Sequence, residues 1–164
     1  MEGSEIEALL DSTREVFERR PKNVEDGLDV SSPAMLQLRK ACRLLVAANA
    51  LVERNGYYTV VIEASFGAIE RSFQFYLVDR TSANSSDYRD YGQVFDDVAS
   101  STVFSDAAVA DRIDAFRSEH RSRIYYDVDR PGRDLAYGMH DLAEEVHACV
   151  VDFANAHSRC RCTD

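Results

Sequence analysis

Glycine and proline are scarce in this sequence, 7 and 3 in 164 residues, which excludes a collagen-like, low-complexity or linker-rich chain. No stretch approaches the roughly 18 uninterrupted apolar residues of a membrane-spanning helix. The opening MEGSEIEALLDSTRE is acidic, where a secretory signal would be basic and then apolar. Lysine is nearly missing: only Lys22 and Lys40 stand beside 17 arginines. What is present, 45% hydrophobic and 29% charged residues, predicts one globular domain in the cytoplasm, large enough to bury roughly two thirds of its unfolded surface.

The 29 acidic residues outnumber 19 basic ones, for a formal net charge of -10, so unselective adhesion to nucleic acid is disfavoured. Strongly hydrated carboxylates and weakly hydrated guanidinium groups suit a high-salt cytoplasm, and a salt-adapted archaeal source is the expectation. Four cysteines make no disulfide framework: Cys42 and Cys149 sit in apolar helical patterns, and Cys160 and Cys162 lie in the tail HSRCRCTD. A reduced compartment follows. His157, Cys160 and Cys162 crowd three potential metal ligands into six residues without a second CxxC, which falls short of zinc spacing. No metal and no cofactor is therefore assigned, and residues 158–164 read as an unstructured polar tail.

The periodicity predicts helices. Ile6, Leu9, Leu10, Val16 and Phe17 recur at helical steps until Pro21 stops the run. Ser32 before Pro33 is the pattern of an N-cap with proline at the first helical position. From there Ala34, Leu38, Ala41, Leu45, Ala48 and Val52 share one face, with small residues that let a neighbouring helix come close, and Asn55-Gly56 ends the run. YYTVVIEASF has the β-branched content of a strand. However, the pattern continues unbroken to about Arg80 and nothing is available to pair with a strand, so a helix over 57–80 is predicted. Residues 81–105 read as a loop with a short helical region at 92–100, and Asp106 caps a fourth helix that carries Val109, Ile113 and Phe116. A last helix spans 133–157, with Leu135, Met139, Leu142, Val146, Val150 and Phe153 on one face and Arg133, His140 and His147 in a stripe on its flank.

Motifs for dinucleotides, P-loops, serine hydrolases and zincins are absent. The informative stretch is 117–140, where Arg117, Arg121, Arg123, Arg130 and Arg133 stand against Glu119, Asp127, Asp129 and Asp134. A local cationic excess in an acidic chain suits binding of phosphate or of a partner's carboxylates; pairing with acids on neighbouring helices is the competing reading.

Three segments together resemble the HEPN family of compact helical bundles. They are LRKACRLLVAANALVERNGYYTVVIEASFGAIERSFQFYL, similar to that family's long hairpin; FRSEHRSRIYYD, similar to its arginine-bearing turn; and DLAYGMHDLAEEVHACVVDFA, similar to its terminal helix. The resemblance covers roughly 34–157. It implies an all-α, up-and-down bundle of about five helices, HEPN-like, with 34–157 as the core of a single 1–164 domain. It also implies a homodimer and, for many members, metal-independent RNase activity as a toxin or defence effector held by a nucleotidyltransferase antitoxin.

The family's site is Arg, four to six residues, then His. Arg121 to Tyr126 matches by position with Tyr in place of His, and Arg133 to His140 matches literally, though along one helix. Metal-free RNA cleavage needs a base for the 2′-OH and a cation for the phosphorane, so His120 or His140 is the candidate base and Arg121 or Arg133 the candidate cation. Tyr126, with an ordinary pKa of about 10, is a poor base. It favours the alternative: a non-catalytic module of the same kind that binds a nucleotide or a partner protein.

Overall fold

The structure, a computed structural model, describes residues 3–19, 28, 32–81, 87–88, 91–106, 108–126 and 131–162; of residues 3–5, 17, 91 and 122–126 only the backbone is described. Among them are six helices and no strand: α1 (Gly3–Glu18), α2 (Pro33–Val52), α3 (Tyr58–Arg80), α4 (Tyr91–Ala99), α5 (Ala108–Tyr126) and α6 (Arg133–Phe153). The all-α expectation holds, including the helix across the strand-like 57–66 segment. The count is six rather than five because the short helical region near 92–100 is a helix of its own, α4.

Local chemistry sets the ends. Extended Ser32 accepts from the Met35 N–H through Oγ at 3.1 Å, with Pro33 at the first turn, so one orphan donor of α2 is satisfied and another never existed. Asn55 and Tyr57 adopt φ of 51° and 59°, and the reversal they make returns α3 along α2. The two helices lie close: a Cβ at Gly67 would meet Leu44 Cδ1 at 3.2 Å, while Ala41, Ala48 and Ala68 are fully buried.

α3 is the hub, packed against α2, α6, α4 and α5. Buried side chains surround it, from Val61 through Phe66, Ile69, Phe73 and Phe75 to Leu77, so its sequence shows little one-sided periodicity. That is why the segment is ambiguous by pattern. Phe73 meets Phe95 of α4 edge-on at 5.3 Å, and Phe66 meets Phe116 of α5 at 6.1 Å. Ala136, Met139, Ala143, Val146 and Val150 carry α6 onto this core.

Two departures matter. α1 forms, but its Ile6, Leu9, Leu10 and Val16 are 59–65% exposed, and α1 contacts no other helix among the described residues. It is amphipathic without being a bundle member. The last helix also stops at Phe153, four residues short of the predicted end. Asn155 takes φ 50°, its N–H bonds the Asp152 carbonyl at 3.0 Å, and the Ala156 N–H reaches Val151 at 2.8 Å. This is a Schellman ending with Asn in the left-handed position, and it turns residues 157–162 back against the bundle in place of a loose tail.

Candidate metal centre

The returning chain is held twice before it reaches its cysteines. Arg159 places Nη1 3.0 Å from Asp79 Oδ1 and lays its guanidinium 5.4 Å above the Phe75 ring. The Cys160 N–H bonds the Ala156 carbonyl at 2.9 Å. Cys160 and Cys162 then meet Cys42 of α2 and His147 of α6, all four ligand atoms lying within 4.8 Å of one another. Cys42 is buried in the α2 face that the small-residue pattern turns inward, and His147 is buried on α6.

The distances fit one ion. Cys42 Sγ lies 3.6 Å from Cys160 Sγ and 3.7 Å from His147 Nε2. His147 Nε2 lies 3.4 Å from Cys160 Sγ and 3.3 Å from Cys162 Sγ, and the Cys160 and Cys162 sulfurs are 3.5 Å apart. Tetrahedral zinc, with Zn–S about 2.3 Å and Zn–N about 2.0–2.1 Å, sets neighbouring ligand atoms about 3.5–3.8 Å apart. Three thiols and one imidazole form a soft donor set suited to zinc, and four protein ligands leave no open position.

Polar groups behind the ligands orient them. Ser72, fully buried on α3, donates its hydroxyl proton to the Ala68 carbonyl at 2.8 Å, and its Oγ lies 2.8 Å from His147 Nδ1. With that proton committed, Nδ1–H must be the donor to Ser72, and Nε2 turns a lone pair to the three sulfurs, the tautomer a metal needs. The Arg161 backbone N–H donates to Cys42 Sγ at 3.4 Å.

With protons instead of a metal, burial disfavours a charged His147, but hydrogen bonds to Cys160 and Cys42 outweigh it and raise the imidazole to about 9. Cys160 is pushed far down by hydrogen bonds from Cys162, Cys42 and His147. The cluster thus already favours imidazolium against thiolate, charges a divalent ion would replace by expelling the proton. A cavity of about 290 Å³ bordered by Leu45, His147, Val151, Cys160 and Cys162 reaches these atoms and gives an entry path.

The tail's spacing alone looked insufficient because the other two ligands lie far away in sequence: Cys42 is 105 positions from His147 and 118 from Cys160. His157, the ligand suggested by proximity in sequence, is exposed and pairs with Asp152 at 2.8 Å. The one early signal of the candidate histidine ligand was the stripe position of His147 on the flank of the last helix.

The residues read as catalytic lie on two helices, His120, Arg121 and Tyr126 on α5 and Arg133 and His140 on α6. Arg121 Nη1 lies 2.7 Å from Glu70 Oε1, and its Nη2 lies 3.5 Å from Glu63 Oε2. Burial raises the Glu70 carboxyl, with Arg121, Arg117 and Arg71 opposing that shift. His120 packs on Phe116 with centroids 4.6 Å apart and lies 3.9 Å from Glu119. Exposed Arg133 stacks over Tyr137 at 4.8 Å. His140, one helical stripe position beyond Arg133, is 4% exposed; among the described residues neither ring nitrogen has a hydrogen-bond partner, and Glu144 Oε1 is 3.5 Å away. Tyr126 ends α5, and its side chain lies outside the described residues, as do the side chains of Arg123 and Arg130. No described helix is long and apolar enough to cross a membrane.

A family model described as Domain of unknown function (DUF8154) matches residues 1–162. No curated protein and no solved structure matches the chain.

Proposed function

We propose that this chain, which belongs to the DUF8154 family, is a zinc-stapled helical binding module. One structural Zn²⁺ held by Cys42, His147, Cys160 and Cys162 closes its C-terminal return onto the bundle. The observation that carries this reading is the convergence of four soft ligand atoms within 4.8 Å, drawn from α2, α6 and the returning chain, with His147 oriented through Ser72. The ion would tie together three chain segments that otherwise meet through apolar packing and the Arg159–Asp79 pair. Metal-binding energy at such a site is folding energy.

A closed four-ligand site supports a structural role rather than hydrolysis, since catalytic zinc keeps a position for water. The binding-module reading also draws support from Arg121, whose guanidinium is engaged by Glu70 and Glu63 and so is not free to meet a phosphate. The HEPN-like RNase, its homodimer and its nucleotidyltransferase partner form the competing proposal, which requires Arg121 to leave those carboxylates.

Native mass spectrometry of protein purified without added metal tests the reading. One zinc per chain is expected, absent from Cys42→Ser and Cys160→Ser. Metal-free wild type that takes up no zinc overturns it.

A further inference from the structure

On the α2–α3 face, a pocket of about 420 Å³ is lined by Leu28, Lys40, Arg43, Leu44 and Arg71. Three of its five lining residues are cations and, among the described residues, none is acidic, in a chain whose formal charge is -10. Half of all the lysine in the sequence is here.

The cations are built in. Arg71 directs Nη1 to two neutral amide oxygens, Gln37 Oε1 at 3.0 Å and Gln74 Oε1 at 2.7 Å. Gln74 is itself fixed by donating Nε2 to the Tyr88 carbonyl at 3.0 Å, and both glutamines are buried. The guanidinium is thus positioned without being neutralised by its hydrogen-bond partners. Lys40 makes no hydrogen bond among the described residues, and burial, then the nearby Arg71 charge, pulls its ammonium below the ordinary lysine value. Arg39, about 40° from Arg43 around α2, has Nε and Nη1 buried without a hydrogen-bond partner among the described residues.

We propose that Lys40 and Arg71 form a binding site for a small phosphate-bearing molecule, with the phosphate on these two cations and the organic part against Leu28 and Leu44. Like charges held close together at half-buried positions are relieved by an anion that accepts from both. A planar guanidinium fork anchored on one edge can offer its remaining N–H groups to phosphate oxygens. The volume lies within the range of about 300–1,000 Å³ typical of small-molecule pockets. Two positioned cations at one pocket suit a compact anion rather than an extended nucleic-acid backbone, which calls for a charged track. The inference stands apart from the metal reading.

The test is calorimetric titration of the full chain with AMP, inorganic phosphate and adenosine, the zinc content of each sample being measured alongside. Saturable one-to-one binding of AMP or phosphate, but not of adenosine, is expected. Lys40→Gln and Arg71→Gln should each weaken it by about tenfold or more, the scale of one lost charge-assisted hydrogen bond. Arg54→Gln, at an exposed position outside the pocket, should leave it unchanged. Far-UV circular dichroism checks each variant. If Arg71→Gln unfolds, Lys40→Gln decides alone, since it breaks no hydrogen bond in the fold. Absence of binding by both AMP and phosphate, or binding that both pocket variants retain, overturns the proposal, as does a single-stranded oligonucleotide that binds when AMP and phosphate do not. A sample that carries zinc but binds neither anion rejects this site and leaves the metal reading intact.

Discussion

His147 Nδ1 lies 2.8 Å from Ser72 Oγ, and this contact joins the centre of the hub helix α3 to the ligand-bearing face of α6. The serine proton already goes to Ala68, so the imidazole is held in one tautomer by a residue that never touches the metal. Ser72→Ala should keep the helical content and lower zinc affinity about 10- to 100-fold, the usual effect of losing such a support. A competition titration against a chromophoric chelator measures it. Unchanged affinity would separate Ser72 from the site.

Removing the metal should loosen the whole domain, because its ligands come from α2, α6 and the returning chain. With free zinc at a hundred times the dissociation constant, the bound ion contributes about 2.7 kcal/mol, or about 5–10 °C in midpoint for a chain of this size. A strong chelator should lower the wild-type melting temperature by that amount and leave Cys42→Ser unmoved. Equal shifts in both proteins would mean that the chelator acts elsewhere.

Arg121 is expected to matter for folding. Glu70 is almost fully buried, so Arg121→Ala strips a buried carboxylate of its nearest cation, at a cost of about 1–3 kcal/mol once the partial exposure of the arginine is allowed for. The same change made on Glu70→Gln should cost much less. Urea denaturation of the four proteins measures the coupling. Additive losses would contradict a Glu70-centred role and return Arg121 to the RNase proposal.

Glu70 also sets a pH dependence. Burial raises its folded pKa above the ordinary value of 4.5, so between those two values the folded state holds a proton that the unfolded state has lost. Stability from this group is complete below about pH 4.5 and falls as pH rises through the folded pKa. Other carboxylates superimpose their own slopes, so the observable is a difference. Wild type should lose stability relative to Glu70→Gln as pH rises from 4 to 7. A flat difference would show that the carboxyl titrates alike in both states.

Much of the fold was legible in the sequence because it depends on neighbours along the chain. Ser32-Pro33 capped α2, Asn55-Gly56 marked the reversal, and the unbroken run from Tyr57 correctly outweighed its strand-like composition. The end of α6 was missed because a Schellman turn at Asn155 depends on a backbone state that Asn permits but does not demand. α1 satisfied every local rule for an amphipathic helix, yet periodicity says that a face is apolar, never what covers it. The candidate metal centre was only half legible for the same reason: Cys160 and Cys162 stood out as potential ligands, but nothing local joined them to Cys42 and His147. Cys42 and Cys149 look alike in an apolar pattern, and only packing brings the first, not the second, to His147. Arg121 shows the reverse: the local arginine excess left a free cation and pairing with a neighbouring helix both open, and its partners, Glu63 and Glu70, lie on α3.

Cobalt substitution is the most direct measurement of the central claim. Metal-free protein titrated with Co²⁺ should reach an end point at one ion per chain. The spectrum should combine the intense d–d absorption of a tetrahedral site with near-ultraviolet thiolate-to-cobalt charge transfer sized for three sulfurs, and zinc should abolish both. Cys162→Ser should reduce the charge-transfer band by about a third while retaining the ion. A weak octahedral spectrum, or a tetrahedral one that Cys42→Ser, Cys160→Ser and Cys162→Ser all leave unchanged, would contradict the site.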